Sequence, residues 1–211
     1  MSCKAEGFTA CTKRFTTDYC KKHYSQVRKY GKPIITRCDP RPAIIEGDLA
    51  KIPLGIEAKD GFAIVDKRNA KLDQYKWYKD DDGYAVTSVK NNVGIYKRHK
   101  MHNMVFGQKK IKAGYTVDHI SRDRADNRKS NLRLANASQN QQNKGIQKNN
   151  STGYKGVYFC KHSQRFIVAI GFKGKQTKYG KYKLVEDAAK RYNEVALKLH
   201  GEFAYQNKVG A

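Results

Sequence analysis

Acidic side chains are scarce in this 211-residue chain. Only 19 Asp and Glu stand against 43 Lys and Arg, which leaves a formal charge of +24 at pH 7. Such a chain repels itself, and a polyanion such as nucleic acid relieves the repulsion. Basic charge alone does not select one class of protein, because ribosomal proteins, histones and membrane-surface proteins share it.

Long apolar runs are also missing. No stretch approaches the length of a membrane span, and the first residues lack the apolar core of a signal peptide. We therefore expect no membrane partner and a reducing cytoplasm, where five Cys suggest metal binding or burial before disulfides. Aromatic residues are plentiful, with 14 Tyr, and this argues against a disordered basic chain.

The chain changes character twice, and this predicts an α+β protein of several modules. We expect a small module at 1–37, a central region at 38–148 with a polar core at about 113–145, and a compact domain at 149–211. In the central region, apolar runs separated by Gly and Asp predict short strands at 50–54, 62–65, 84–89 and 94–96. The stretch 145–153 has the composition of a linker.

The last segment predicts three strands and one helix. The strands are expected at 157–159, 166–172 and 177–182, and apolar residues recur every three or four positions from Val185 to Leu199, before Gly201. Phe166, Val168 and Ile170 alternate and are expected to pack on that helix. The opposite face and its flanks then show basic and aromatic residues, a solvated surface or one that enters a DNA groove: Lys155, Tyr158, Lys161, Arg165, Lys173, Lys175 and Lys178.

The window 115–144 predicts a strand, a long turn, a second strand and a helix. Ser138 and Gln141 fit a capping box at the start of that helix. This order brings Asp118 and His119 beside the helix that carries Asn140.

The residue types in that window suit phosphodiester hydrolysis. The reaction needs a base to activate water and a cation to offset charge on the phosphate. The oxygens of Asp118 and Asn140 are ligands that Mg²⁺ or Mn²⁺ accepts, and His119 is a natural base because histidine side chains exchange protons near neutral pH. For an isolated Asp-His dipeptide, an ordinary surface pair would be the simpler interpretation.

The whole window resembles the His-Asn-His (HNH), or ββα-metal, endonuclease motif of phage and intron-encoded homing nucleases. The resemblance rests on VDHI at 117–120, DNR at 126–128, NLR at 131–133 and SQNQQN at 138–143, and on the intervals between His119, Asn131 and Asn140. It implies a site-specific endonuclease that nicks or breaks double-stranded DNA with Mg²⁺ or Mn²⁺, in a bacterial or phage-infected cell. An asymmetric row of modules favours a monomer.

The same resemblance implies a role for each matching residue. Asp118 and Asn140 would bind the metal, His119 would be the general base, and Asn131 would hold the loop and orient His119. Asn127 and Asn143 would be supportive. His99 and His102, in a segment similar to the one that precedes the family motif, are expected to be structural or phosphate-facing.

The segment 151–207 is similar to the plant ethylene-response-factor DNA-binding domain. The matching residues are STGYKGV at 151–157, KYGKY at 178–182 and the run at 187–207. Lys155 and Tyr158 stand where the plant domain commonly has Arg, so the resemblance implies the fold and a DNA-binding role but not the plant target.

The N-terminal segment has four candidate ligands for a structural zinc ion. Cys3, Cys11, Cys20 and His23 suffice for a closed tetrahedral site, and residues 19–33 resemble a small Cys/His module of some phage HNH proteins. Arg28 and Lys29 beside it are expected to contact phosphate. Scattered buried thiols are the alternative, and Cys38 and Cys160 receive no role.

Two other functions remain open at this point. One is a sequence-specific DNA-binding regulator with a silent nuclease fold, which an intact set of Asp118, His119, Asn131 and Asn140 disfavours. The other is a basic RNA-binding protein, which lacks support because no aromatic RNA-binding signature is present.

Overall fold

The structure is a computed structural model that describes residues 21–32, 40–55 and 58–210. These residues form small sheets and short helices, which confirms the α+β class. No helix in these ranges has the length and apolar character that crossing a bilayer requires. In chain order the elements are α1 (Lys21–Tyr30), β1 (Ile44–Glu46), β2 (Leu49–Pro53), β3 (Phe62–Asp66), β4 (Tyr78–Lys79), β5 (Ala85–Lys90), β6 (Tyr96–Lys100), α2 (Met101–Phe106), β7 (Tyr115–His119), β8 (Leu132–Asn136), α3 (Ala137–Asn143), β9 (Val157–Cys160), β10 (Arg165–Phe172), β11 (Lys175–Tyr182) and α4 (Val185–His200).

The described residues fall into two compact units. The first contains those up to Lys112 together with Asp123–Arg133, and the second contains Ala113–Arg122 together with the residues from Leu134 onward. The three modules expected from the sequence (1–37, 38–148 and 149–211) stay a prediction.

The first unit has two three-stranded antiparallel sheets, β1-β2-β3 and β4-β5-β6. Alternating residues of β2 and β3 point into one apolar core, in which Trp77 is buried and its Nε1 donates to the Leu72 carbonyl at 2.7 Å. The other buried members of that core are Ala50, Ile52, Leu54, Ala63, Val65, Leu72, Ala85 and Met101.

The strands expected at 50–54, 62–65 and 84–89 are confirmed to within a residue or two, but the strand at 94–96 is wrong. Residues 91–95 form a turn, in which the Asn91 carboxamide accepts from the amides of Val93 and Ile95 and Gly94 has φ of 89°. The strand β6 therefore begins at Tyr96 and continues through the basic residues to Lys100. The sequence does not predict this strand, because it is largely exposed and carries no apolar alternation.

The loop at 123–133 is attached to β3 within the first unit. The Ile64 amide donates to the Ala125 carbonyl at 2.8 Å, and the Asn127 amide donates to the Ile64 carbonyl at 2.7 Å. Asn127 is fully buried, and its side chain donates to the Ala125 carbonyl at 2.9 Å. The expected supportive role of Asn127 can be described in physical terms. Its hydrogen bonds hold an irregular loop that has no regular strand pairing.

The second unit contains the predicted three-stranded sheet and helix. The antiparallel strands β9, β10 and β11 have β10 in the centre, and Val168 and Ile170 pack against Ala188, Ala189 and Tyr192 of α4. Glu186 and Asp187 lie in the first turn of α4, where they favour the helix dipole, and Gly201 ends the helix with φ of 55°.

Gly156 shows how closely this small domain is packed. Its φ is 71°, and a Cβ atom at this position would overlap the ring of buried Tyr192. Only glycine allows the backbone before β9 to approach α4 so closely. Just before it, the expected linker ends in a turn in which the Asn150 carboxamide accepts from the amides of Thr152 and Gly153.

Candidate active site

The window expected to form strand, turn, strand and helix does so. Strands β7 and β8 form a two-stranded sheet, and α3 follows β8 directly. The helix begins two residues earlier than predicted, because its N-cap is Asn136 and not Ser138. The Asn136 carboxamide accepts from the Gln139 amide at 2.9 Å, and the Gln139 side chain accepts from the Asn136 amide at 2.9 Å, which completes a capping box.

Two asparagines of α3 face β7. Asn140 and Asn143 are three positions apart and share a face of the helix. Asn140 donates from Nδ2 to Thr116 Oγ1 at 3.3 Å, and Asn143 donates from Nδ2 to both carboxylate oxygens of Asp118, at 3.1 and 2.9 Å. The structure therefore brings Asp118 together with the helix that carries Asn140.

Asn143 also binds the backbone beside Asp118. Its Nδ2 lies 2.9 Å from the carbonyl oxygen of His119, so one amide group contacts two consecutive residues of β7. A carboxylate and a carbonyl only accept hydrogen bonds, so the nitrogen of this carboxamide must face them. Asn143 is buried, and the sequence assigned it only a supportive role. The sequence feature that points to Asn143 is the repeat of Asn on one side of the predicted helix.

His119 is buried, with 4% of its surface exposed, and lies at the end of β7. Its carbonyl accepts a second bond, from the Arg122 amide at 2.9 Å. Arg122 has φ of 68°, a left-handed conformation that non-glycine residues rarely adopt. The turn that follows His119 is therefore tight, and it directs the chain away from the strand directly after the expected base.

Asn131 belongs to the first unit. It is buried, and its Nδ2 donates to the Asp126 carbonyl at 2.8 Å, a contact across the loop at 126–131. Asp126 also accepts two bonds from the guanidinium of Arg128, at 2.8 and 2.6 Å. The predicted orientation of His119 by Asn131 remains a prediction.

The two upstream histidines have structural contacts in the first unit. His102 is buried and packs its ring edge-on against Tyr84, with 5.2 Å between the centroids. His99 Nδ1 lies 2.9 Å from Gln108 Nε2. Both contacts agree with the structural role that the sequence suggested.

The oxygens available at β7 and α3 fit a hard divalent cation. A carboxylate has about four lone-pair sites, so an oxygen that accepts a hydrogen bond can also bind a metal. Asn140 is exposed and adds an amide oxygen on the same side of α3. No cluster of three or more His, Cys, Asp or Glu exists among the described residues, and the two-oxygen set proposed from the sequence does not need one.

The expected zinc ligands lie mostly outside the described residues. Cys3, Cys11 and Cys20 fall outside them, and His23 is buried on α1. Arg28 and Lys29 are exposed in the last turn of that helix, and the Lys29 ammonium lies 5.1 Å from the centre of the Tyr30 ring.

The outer face of the β9–β11 sheet, opposite α4, carries cations. Paired residues of an antiparallel sheet share a face, and β10 residue Ile167 pairs with Tyr158 and with Lys181, while Ala169 pairs with Lys178. Arg165 is two positions from Ile167 and shares its face. Lys181 is an addition to the predicted set. Strict alternation would put Lys178 and Lys181 on opposite faces, and the irregular register of β11 opposite Ile167 and Ala169 brings both to the outer face.

Three of the four remaining expected cations lie away from the centre of the outer face. Lys161 and Lys173 are exposed at the two turns of the sheet, and Lys175 pairs with Phe172 on the α4 side. They therefore occupy the flanks.

Lys155 is placed differently from all of these residues. It precedes β9, and its Nζ lies 2.7 Å from the Gln142 carbonyl oxygen and 2.6 Å from that of Lys144. The ammonium thus points at the end of α3 and not at the outer face of the sheet.

Comparison with known proteins agrees with this geometry. A family model described as HNH endonuclease matches residues 99–142. The chain is 33% identical over 144 residues to an uncharacterized HNH endonuclease of Acanthamoeba polyphaga mimivirus, an alignment that covers 65% of this chain and 70% of that protein. It is 32% identical over 112 residues to Protein 3.8 of Escherichia phage T7, covering 52% of this chain and 92% of the phage protein. No solved structure matches the chain significantly.

Proposed function

The chain belongs to the HNH endonuclease family, and from this we propose that it hydrolyses phosphodiester bonds of double-stranded DNA with Mg²⁺ or Mn²⁺. The contact between α3 and β7 is the observation that supports the proposal most directly. In it, one buried amide of Asn143 binds both the Asp118 carboxylate and the His119 carbonyl. This contact holds the proposed base and the proposed metal ligand in a set geometry, which hydrolysis requires.

In the proposed reaction, a neutral His119 accepts a proton from water. The water oxygen attacks phosphorus, and the bond from phosphorus to the leaving oxygen breaks. Asp118 and Asn140 would hold the cation, which when bound offsets negative charge on the phosphate and on the leaving oxygen. Asn143 keeps the Asp118 carboxylate in place.

Incubation of supercoiled plasmid with the purified protein tests this function. We expect nicked or linear DNA with Mg²⁺ or Mn²⁺ and intact plasmid with a chelator. His119→Ala and Asp118→Ala should each slow cleavage by about 10²–10⁴-fold. Binding of DNA should change little, because phosphate contacts elsewhere supply most of the affinity.

His162→Ala is the matched control, since His162 is exposed in the turn after β9. It should cut at the wild-type rate. Near-normal cutting by His119→Ala would reject the proposed base. A wild-type protein that binds DNA and never cuts it would favour the regulator with a silent nuclease fold.

We further propose a homing-type activity: one defined DNA site, approached by a monomer with modules at 1–37, 38–148 and 149–211. The basic outer face of the β9–β11 sheet supports a DNA-reading role for the last module, with Tyr158, Arg165 and Lys178 facing the DNA and Lys161, Lys173 and Lys175 on the flanks. Selection and sequencing of cut ends from a randomised DNA library tests the specificity. Cleavage at unrelated sequences would reject it.

For the N-terminal module we propose a structural zinc ion on Cys3, Cys11, Cys20 and His23, with Arg28 and Lys29 contacting phosphate. Four such ligands suit tetrahedral zinc, and a segment so short has little core of its own. Metal analysis should find about one zinc per chain, and Cys20→Ser should lose it. Protein prepared without chelators that contains no zinc would end this proposal.

A further inference from the structure

The Lys155 ammonium lies on the carbonyl oxygens at the C-terminal end of α3. Its Nζ is 3.2 Å from the carbonyl oxygen of Gln141, 2.7 Å from that of Gln142 and 2.6 Å from that of Lys144. The last carbonyls of a helix have no partner inside the helix, and an ammonium group has three protons to donate. One side chain thus satisfies three acceptors at the end of the helix that carries Asn140 and Asn143.

The backbone of Lys155 is fixed to α4 by two asparagines. The Lys155 amide donates to Asn207 Oδ1 at 2.8 Å, and Asn207 Nδ2 donates to the Lys155 carbonyl at 3.1 Å. Asn207 is buried and is held in turn by Asn193 of α4, which accepts from the Asn207 amide at 2.7 Å and donates to its carbonyl at 2.8 Å. The position of the Lys155 backbone is therefore set by the packed domain.

A shared aromatic ring connects Lys155 with the turn after His119. The ring centre of Tyr205 lies 5.3 Å from Lys155 Nζ and 4.1 Å from the guanidinium carbon of Arg122. Both cations are thus on an aromatic ring, which stabilises them. Arg122 is the residue whose amide binds the His119 carbonyl. The C-terminal domain therefore contacts the turn after β7 through Tyr205 and the end of α3 through Lys155.

We propose that Lys155 is a positioning residue, which holds α3, and with it Asn140 and Asn143, in the geometry that cleavage requires. The proposal rests on the function proposed above for those residues. It replaces the phosphate contact expected for Lys155 from the sequence, because a phosphate would have to compete with three carbonyl oxygens already bound to Nζ.

The environment of the ammonium agrees with this role. Burial, followed by the positive charges of Arg122 and Lys144, lowers the pKa of Lys155 to about 8. The charged form with three donors still predominates at pH 7.

Substitution of Lys155 with Met removes the three donors and keeps the length of the side chain. Lys190→Met is the matched control, because Lys190 is exposed on α4 and outside the proposed DNA-binding set. Hydrogen exchange of the peptide 137–148 should accelerate by about tenfold in Lys155→Met and stay unchanged in the control. At saturating DNA, kcat should fall by about 10²-fold, because small displacements of a catalytic group have effects of this size. KM and metal-free DNA affinity should change by no more than about twofold, and Lys155→Arg should recover much of kcat.

Exchange of the Nζ protons in the unmutated protein gives a measurement that does not depend on a variant folding. By ¹⁵N spectroscopy, the Lys155 ammonium protons should exchange about tenfold more slowly than those of Lys190, since hydrogen bonds protect them. Neither exchange measurement involves cleavage. A wild-type protein that does not cut would therefore reject the proposed function and leave these measurements to decide on Lys155.

Three results would contradict a positioning role for Lys155. Unprotected Nζ protons, or an unchanged 137–148 peptide in Lys155→Met, would overturn the proposal. So would a variant with normal kcat whose DNA affinity loses about one unit of log-log salt dependence, because that loss marks a phosphate contact.

Discussion

The β7–β8–α3 region and the β9–β11–α4 domain are stabilised in different ways. The first has few buried apolar residues, among them Val117 and Ala135, and is connected through the Asn143 amide and the capping box of α3. The second is built on one apolar cluster between the sheet and α4, and its charges lie outside. Directional polar contacts therefore define the site, whereas buried apolar area stabilises the domain that follows it.

This difference has a physical consequence for substitutions. A hydrogen bond depends on distance and angle, so losing one buried amide displaces the groups that it held. An apolar contact depends on area and volume, and its loss lowers the free energy of unfolding without redirecting a particular atom. The candidate site should therefore be sensitive in rate, and the C-terminal domain in stability.

The largest expected effect on stability is at Ile170. This side chain is 3% exposed and fills the space between β10 and α4, so Ile170→Ala should lower the free energy of unfolding by about 2–5 kcal/mol. Leu197→Ala is the control, because Leu197 is exposed on α4 and should change the free energy by less than about 0.5 kcal/mol. Urea unfolding followed by circular dichroism measures both, and equal losses would contradict the apolar core.

The next effect is expected at Asn143. Asn143→Ala removes the donor to Asp118 and His119 and should lower the cleavage rate at saturating DNA by about 10²-fold, or about 2.7 kcal/mol. Affinity for DNA in chelator should stay near the wild-type value. Asn149→Ala, at an exposed position, should have no effect on either quantity. A rate for Asn143→Ala within twofold of wild type would show that the Asp118 carboxylate does not need this amide.

The smallest effects are expected on the outer face of the β9–β11 sheet. Lys178→Ala and Lys181→Ala should each reduce the log-log salt slope of DNA binding by about 0.9, the loss of one phosphate contact. Lys190→Ala on α4 is the control with the same change of charge. If all three variants lower the slope equally, the face is a solvated basic surface and not a DNA-binding one.

The sequence predicted the regular elements near the site well and the contacts between them poorly. Alternating apolar residues placed β9, β10 and β11, and the VDHI and NLR motifs placed β7 and β8. The N-cap of α3 was misplaced because Asn136 and Ser138 both have a Gln three positions later, and only the backbone conformation distinguishes them. β6 was misplaced because its exposed basic residues show no periodicity.

The chain alone determined the identity and order of the groups proposed to react: Asp118 and His119 at the end of a strand, then Asn140 on a helix, in a strongly basic protein. Residue type and spacing suffice for these statements, because chemistry and helical or strand periodicity are local properties. The tertiary structure alone decided the partners. Asn143 became the residue that binds Asp118, and Lys155 turned away from the expected DNA-binding face toward the carbonyls of α3. A hydrogen bond between residues far apart in sequence depends on distance and direction in space, and one-dimensional spacing does not encode either.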